Sequence, residues 1–221
     1  MNKRYLQATI LFIIVFATGC VSAQDGQLDT ATPFPGEMNL TPTTPQQASP
    51  GSAGMGDPAF PQAGNGGYDA QHYQLDLSVD VDENVLSATV TMTAQANQDL
   101  NSFNLDFAGF TIDDITVNAQ PATYHRTERE LTIHPQEMLP TDTSFTTRIS
   151  YHGTPIADGA WHHQEGAVFV IGEPVGAATW YPVNNHPLDK ATYTYQISTQ
   201  KPYEAIASGT LIEKQQDGQE V

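Results

Sequence analysis

The chain of 221 residues has a single cysteine, Cys20. No disulfide framework can form within it, and no cysteine pair exists for a structural zinc site. Positive charge is equally scarce, with 8 Lys and Arg against 25 Asp and Glu and a formal net charge of -17. That balance excludes a nucleic-acid binder, because affinity there comes from neutralising phosphates with Lys and Arg. No stretch of helical length carries a 3.6-residue apolar period. No internal repeat stands out, and seryl nucleophile motifs of the G-x-S-x-G type are absent.

What is present changes character along the chain. Residues 1–20 read as a signal peptide: Lys3 and Arg4 give the positive start, Ile10 to Phe16 the apolar run, and Ala17-Thr18-Gly19 the small residues before Cys20. The apolar run is short for a bilayer span. Ala17-Thr18-Gly19-Cys20 resembles a bacterial lipobox, with Ala17 where Leu is commonest, so Cys20 is the candidate lipidation site. Ordinary cleavage after Ala23 is the alternative. Either route implies an exported protein, held in the cell envelope by a lipid on Cys20 or secreted. Residues 21–67 are rich in Pro, Gly, Ser and Thr and poor in apolar side chains. Such a segment buries too little surface to offset ordering its backbone, which predicts a disordered linker.

The remainder, residues 68–221, reads as strands. Tyr73, Leu75, Leu77, Val79 and Val81 alternate with polar residues, Asp82-Glu83-Asn84 supplies a turn, and Leu86, Ala88, Val90, Met92 and Ala94 alternate again. That pattern predicts a hairpin. Further strands are expected at Phe103–Phe107, Ile112–Val117, Leu131–Ile133, Phe145–Tyr151, Val168–Ile171, Tyr193–Ile197 and Ala205–Ile212. Short strands with close turn signals predict an all-β fold, an antiparallel sandwich or open barrel. Asp217-Gly218 signals another hairpin, with Gln219-Glu220-Val221 beginning its return strand, so the chain is expected to be a fragment of a longer protein.

Candidate chemistry is thin. None of the seven His (72, 125, 134, 152, 162, 163 and 186) begins the H-E-x-x-H pattern that puts two imidazoles on one helical face. His162 and His163, with Glu165, form the densest cluster, but adjacent side chains in an extended segment point to opposite sides. Asp80-Val81-Asp82-Glu83-Asn84 begins like a calcium loop, then has Val85 where Gly is needed and Thr91 where Glu is needed. Asp113-Asp114 reads as a solvated strand edge.

The informative stretch is Gly172-Glu173-Pro174-Val175-Gly176, continuing through Trp180-Tyr181-Pro182-Val183-Asn184-Asn185-His186-Pro187 to Lys190-Ala191-Thr192-Tyr193. It resembles the N-terminal domain of the aminopeptidase N-type, or gluzincin, zinc metallopeptidases. Tyr68 to Leu77, Ser102 to Phe107 and Tyr203 to Gly209 are similar to other segments of that domain. Val183 and Asn185 depart from the commoner family residues, the latter standing where Asp is frequent. The resemblance implies a saddle-like β domain that packs on a catalytic domain holding zinc, and removal of N-terminal residues from peptides. It implies that zinc is bound by that missing domain and that this chain alone is inactive. One role carries over: Glu173 matches the residue that grips the peptide's free amine. Trp180 and Tyr181 are expected in the core and Lys190 at the surface. The rival reading is a free-standing β-sandwich binding module of a surface lipoprotein.

Overall fold

The computed structural model describes residues 47–215. The signal peptide, Cys20 and the Asp217-Gly218 turn lie outside the described residues. Twelve strands occur in the order β1 (Ser49–Pro50), β2 (Tyr68–Asp80), β3 (Val85–Ala96), β4 (Leu100–Asp106), β5 (Thr111–Val117), β6 (Gln120–Pro121), β7 (Thr123–Arg126), β8 (Glu130–His134), β9 (Ser144–Gly153), β10 (Trp161–Gln164), β11 (Ala167–Val170) and β12 (Thr192–Thr199). A 3-10 turn at Ala177–Thr179 is the only helical element among the described residues.

The expected hairpin forms as β2 and β3, in register from Tyr68 opposite Ala96 to Asp80 opposite Val85. A bulge between Ala70 and His72 resets the alternation, so Tyr68 and Ala70 point inward before it and Tyr73, Leu75 and Leu77 after it. Asn84 takes φ 52 in the connecting turn, a conformation Asn tolerates well. There Asp80 Oδ1 accepts from the Glu83 amide at 3.0 Å, so this carboxylate serves the turn.

β2 and β3 belong to a six-stranded sheet, ordered β12-β2-β3-β9-β5-β6, and β1-β4-β8-β7 form a second sheet. Pairing is antiparallel except at two edges, where β12 joins β2 and β1 joins β4 in parallel. The sheets share one core, with Phe103 of β4 lying 5.1 Å from Phe145 of β9 and Tyr68 of β2 edge-on to both. The result is an all-β sandwich of open sheets. The small β10–β11 hairpin docks on the β2–β3 turn through Trp161 Nε1 to Asn84 Oδ1, 3.0 Å, and His163 Nε2 to the Val81 carbonyl, 2.8 Å.

Two expectations are corrected. Ala205–Ile212 forms no strand: its alternation finds no ladder partner among the described residues, and Ile206 and Ile212 are 91% and 90% exposed. The end of the expected linker, residues 47–67, is packed instead of free. Ser49 and Gly51 donate to the Asp99 and Ser102 carbonyls at 2.9 and 2.8 Å, and Ala63 and Asn65 are buried. Backbone hydrogen bonds and a few close glycine contacts hold this segment, so its lack of apolar residues was misleading.

Candidate substrate-amine site

Glu173 lies on an exposed turn between β11 and the 3-10 turn. Its base is fixed at several points. The Ile171 amide donates to the Ala160 carbonyl at 2.8 Å, and the Gly176 amide donates to the Gly172 carbonyl at 2.6 Å. Thr179 Oγ1 accepts from the Ala160 amide at 2.8 Å and donates to the Gly176 carbonyl at 2.7 Å. The Ala108 amide donates to the Ala178 carbonyl at 2.8 Å, tying the turn to the end of β4. An exposed acid on a braced turn can reach a ligand without the turn having to be ordered first.

A second, buried turn braces the first. Asn185 Nδ2 donates to the Val175 carbonyl at 2.6 Å, and Arg129 Nη2 reaches the same oxygen at 3.3 Å. The Asn185 amide donates to Asp106 Oδ2 at 3.1 Å. Asn184 donates through its amide to the Tyr73 hydroxyl at 3.0 Å and accepts from the Asn65 amide at 2.6 Å. Its Nδ2 donates to the Asn65 carbonyl at 3.0 Å and also bonds Asp189 Oδ2. His186, with a side chain 1% exposed, contacts Asp57 at 3.1 Å through Nε2, while its Nδ1 accepts from the Leu188 amide. Tyr181 is buried, Trp180 packs partly buried on the core, and Lys190 is exposed.

Beside these turns lies a cleft of about 540 Å³ whose lining includes Phe60, Pro61, Asp106, Arg129 and Glu130. Burial raises the Asp106 carboxyl, opposed by the Asn185 amide and the Arg129 charge. Glu130 is pushed up to about 7 by burial and then by Asp106, and its Oε1 is buried without a hydrogen-bond partner.

The other candidates are not gathered into a centre. His162 stacks on its cross-strand partner Phe169, and His163 is turned to Val81. Asp113 pairs with His152 at 2.9 Å on the surface. Among the described residues no group of three or more His, Cys, Asp or Glu is placed to hold a metal ion. The residues missed from sequence are Asp57, Asn65 and Asp106. The Gly-Asn-Gly-Gly run at 64–67 was the available signal, since Gly64 and Gly67 adopt positive φ.

Comparison with known proteins says which kind of domain this open β sandwich is. Residues 69–221 match the model of the Peptidase M1 N-terminal domain, and the chain belongs to that family. A two-domain M1 zinc metallopeptidase mutant bound to L-arginine is similar at 30% identity and TM-score 0.70, covering 76% of this chain and 41% of that one. The M1 zinc metallopeptidase from Deinococcus radiodurans is similar at 29% identity and TM-score 0.69, with the same shares covered. Yeast LTA4 hydrolase shares the fold at 21% identity and TM-score 0.57, covering 70% of this chain and 26% of its own. The chain therefore spans about two fifths of the length of these M1 zinc metallopeptidases.

Proposed function

We propose that this chain is the N-terminal β domain of an exported zinc-dependent aminopeptidase, in which Glu173 holds the free amine of the peptide substrate. The family match over residues 69–221 carries the reading. A related Deinococcus radiodurans mutant at 29% identity is bound to a Tyr-Ser-Ala substrate, which supports a peptide as ligand. A peptide α-amine has a pKa of about 8 and is mostly cationic at neutral pH, so a carboxylate is a charge-assisted anchor for it, stronger once an adjoining domain covers the exposed Glu173 turn. Holding the amine fixes the distance from the peptide's end to the bond that breaks, which restricts cleavage to one terminal residue.

Zinc belongs to the intact enzyme's catalytic domain in this reading. The described residues offer no ligand set for it, and none of them takes a step of the hydrolysis. Their part is recognition and packing. Phe169, Val170 and Ile171 are exposed beside the Glu173 turn, apolar surface suited to an adjoining domain of the same protein. The positive start, apolar run and Cys20 support export and a lipid anchor.

The test is hydrolysis of an aminoacyl chromogenic substrate by two proteins: these 221 residues alone, and the protein with its reading frame continued past Val221. Chelator-sensitive release by the longer protein only is the expected result. Release by the 221 residues alone, or a reading frame that ends at Val221, overturns the proposal in favour of another enzyme or a free-standing binding module.

A further inference from the structure

We propose that residues 52–66 are a positioning strap, in which Asp57 and Asn65 act through the Asn184-Asn185-His186 turn to fix the Val175 carbonyl and with it the turn that carries Glu173. The strap precedes the family-matched residues, which begin at 69. The inference rests on the amine-holding reading of Glu173 for its functional consequence, though not for its geometry.

The strap is a closed loop with its own hydrogen bonds. The Gly66 amide donates to the Ser52 carbonyl at 3.0 Å and the Gly54 amide to the Gly64 carbonyl at 2.9 Å, while Ala53 and Asn65 form an antiparallel bridge. Its side-chain hydrogen bonds to the rest of the described residues fall on the buried turn and on Asp106. Asn65 exchanges two backbone hydrogen bonds with the Asn184 side chain, at 2.6 and 3.0 Å. Asn65 Nδ2 donates at 3.1 Å to Asp106 Oδ2, the oxygen that also accepts from the Asn185 amide. Asp57 reaches the buried His186 ring. Gly64 sits at φ +69, and a Cβ there would lie 2.5 Å from His186 Cβ, so the approach requires glycine.

Asn185 is therefore held on both sides by strap-anchored neighbours and beneath by Asp106. Its side-chain Nδ2 donates to the Val175 carbonyl, two residues past Glu173. A carboxylate at this position could not donate to that carbonyl. The route runs from the partly exposed Asp57 to the buried His186 ring, along the backbone to Asn185, and through its side chain to Val175, which lets a change at the strap alter the order of the turn.

The test uses Asp57→Ala, Asp57→Asn and Asn185→Ala in the 221-residue chain, read by amide hydrogen exchange. Gly176, Thr179 and Trp180 donate within the turn, and their exchange should accelerate about tenfold in Asp57→Ala and Asn185→Ala. The β2, β3 and β9 amides should hold their rates, which separates local loosening from failure to fold. Asp57→Asn keeps an acceptor for His186 and should restore most of the protection. Unchanged exchange in the turn in both Ala variants, or loss of protection spread equally over the three strands, overturns the strap. In the longer protein, Asp57→Ala should raise KM for a free-amine substrate about threefold to tenfold with kcat within twofold. Faster exchange with an unchanged KM would uphold the strap and count against Glu173 as the amine anchor.

Discussion

Asp106 and Glu130 are direct partners across the antiparallel β4–β8 pair, so two carboxyl groups meet where that ladder opens into the cleft. Like charges directly opposite each other destabilise a sheet. Burial, and then this neighbour, raise the Glu130 pKa from 4.5 to about 7, so the conflict is relieved where Glu130 holds its proton, below about that pH.

The sign of the pH dependence follows. The folded state retains the Glu130 proton where the unfolded chain has lost it, so the stabilisation is full below about 4.5 and disappears as pH rises through about 7. Full conversion of the shift would be about 3 kcal/mol, which the half-exposed position reduces to about 1 kcal/mol. Glu130→Gln should therefore unfold at higher urea than the wild type at pH 8 and match it at pH 4.5. Urea titration at the two pH values measures this.

Asn184 uses its amide, its side-chain oxygen and its side-chain nitrogen at once, on Tyr73, Asn65 and Asp189. Asn184→Ala strands the buried Asn65 amide and carbonyl and should cost about 3 kcal/mol. Asn184→Asp loses the donor to Asn65 while adding a charge beside Asp189, and should be no better tolerated. Thermal or urea unfolding of both variants checks the ranking.

Thr179 is the pin beneath the Glu173 turn, accepting from Ala160 and donating to Gly176 through one hydroxyl. Thr179→Val keeps the shape and removes both bonds, leaving the Ala160 amide without its partner. The expected cost is about 2 kcal/mol. Thr179→Ser should recover most of it, by the same unfolding measurement.

The large sheet was legible because period-two alternation survives wherever one strand face is buried. Tyr73 to Val81 and Leu86 to Ala94 carry it along strands of 13 and 12 residues, and the Asn84 turn is signalled by side-chain chemistry. Ala205 to Ile212 shows the limit of that rule, since alternation records a strand's faces and says nothing of its hydrogen-bonding neighbour. The strap was illegible for the opposite reason. Gly54, Gly64 and Asn65 are buried through backbone contacts and polar bonds, which composition scores as solvated chain. Glu173 was singled out only through the resemblance of the whole Glu-Pro to Lys-Ala segment to the family. The support that Asn185 gives it depends on contacts about ten residues away in sequence, and that of Asn65 on contacts more than a hundred away.

The central claim is tested most directly by the Michaelis constant of Glu173→Ala, measured in the longer protein against an aminoacyl substrate with a free amine, with zinc content determined in parallel. Loss of a charge-assisted anchor should raise KM about tenfold to a hundredfold at wild-type zinc occupancy. A KM within twofold of the wild type would contradict the assignment of Glu173 to the substrate amine.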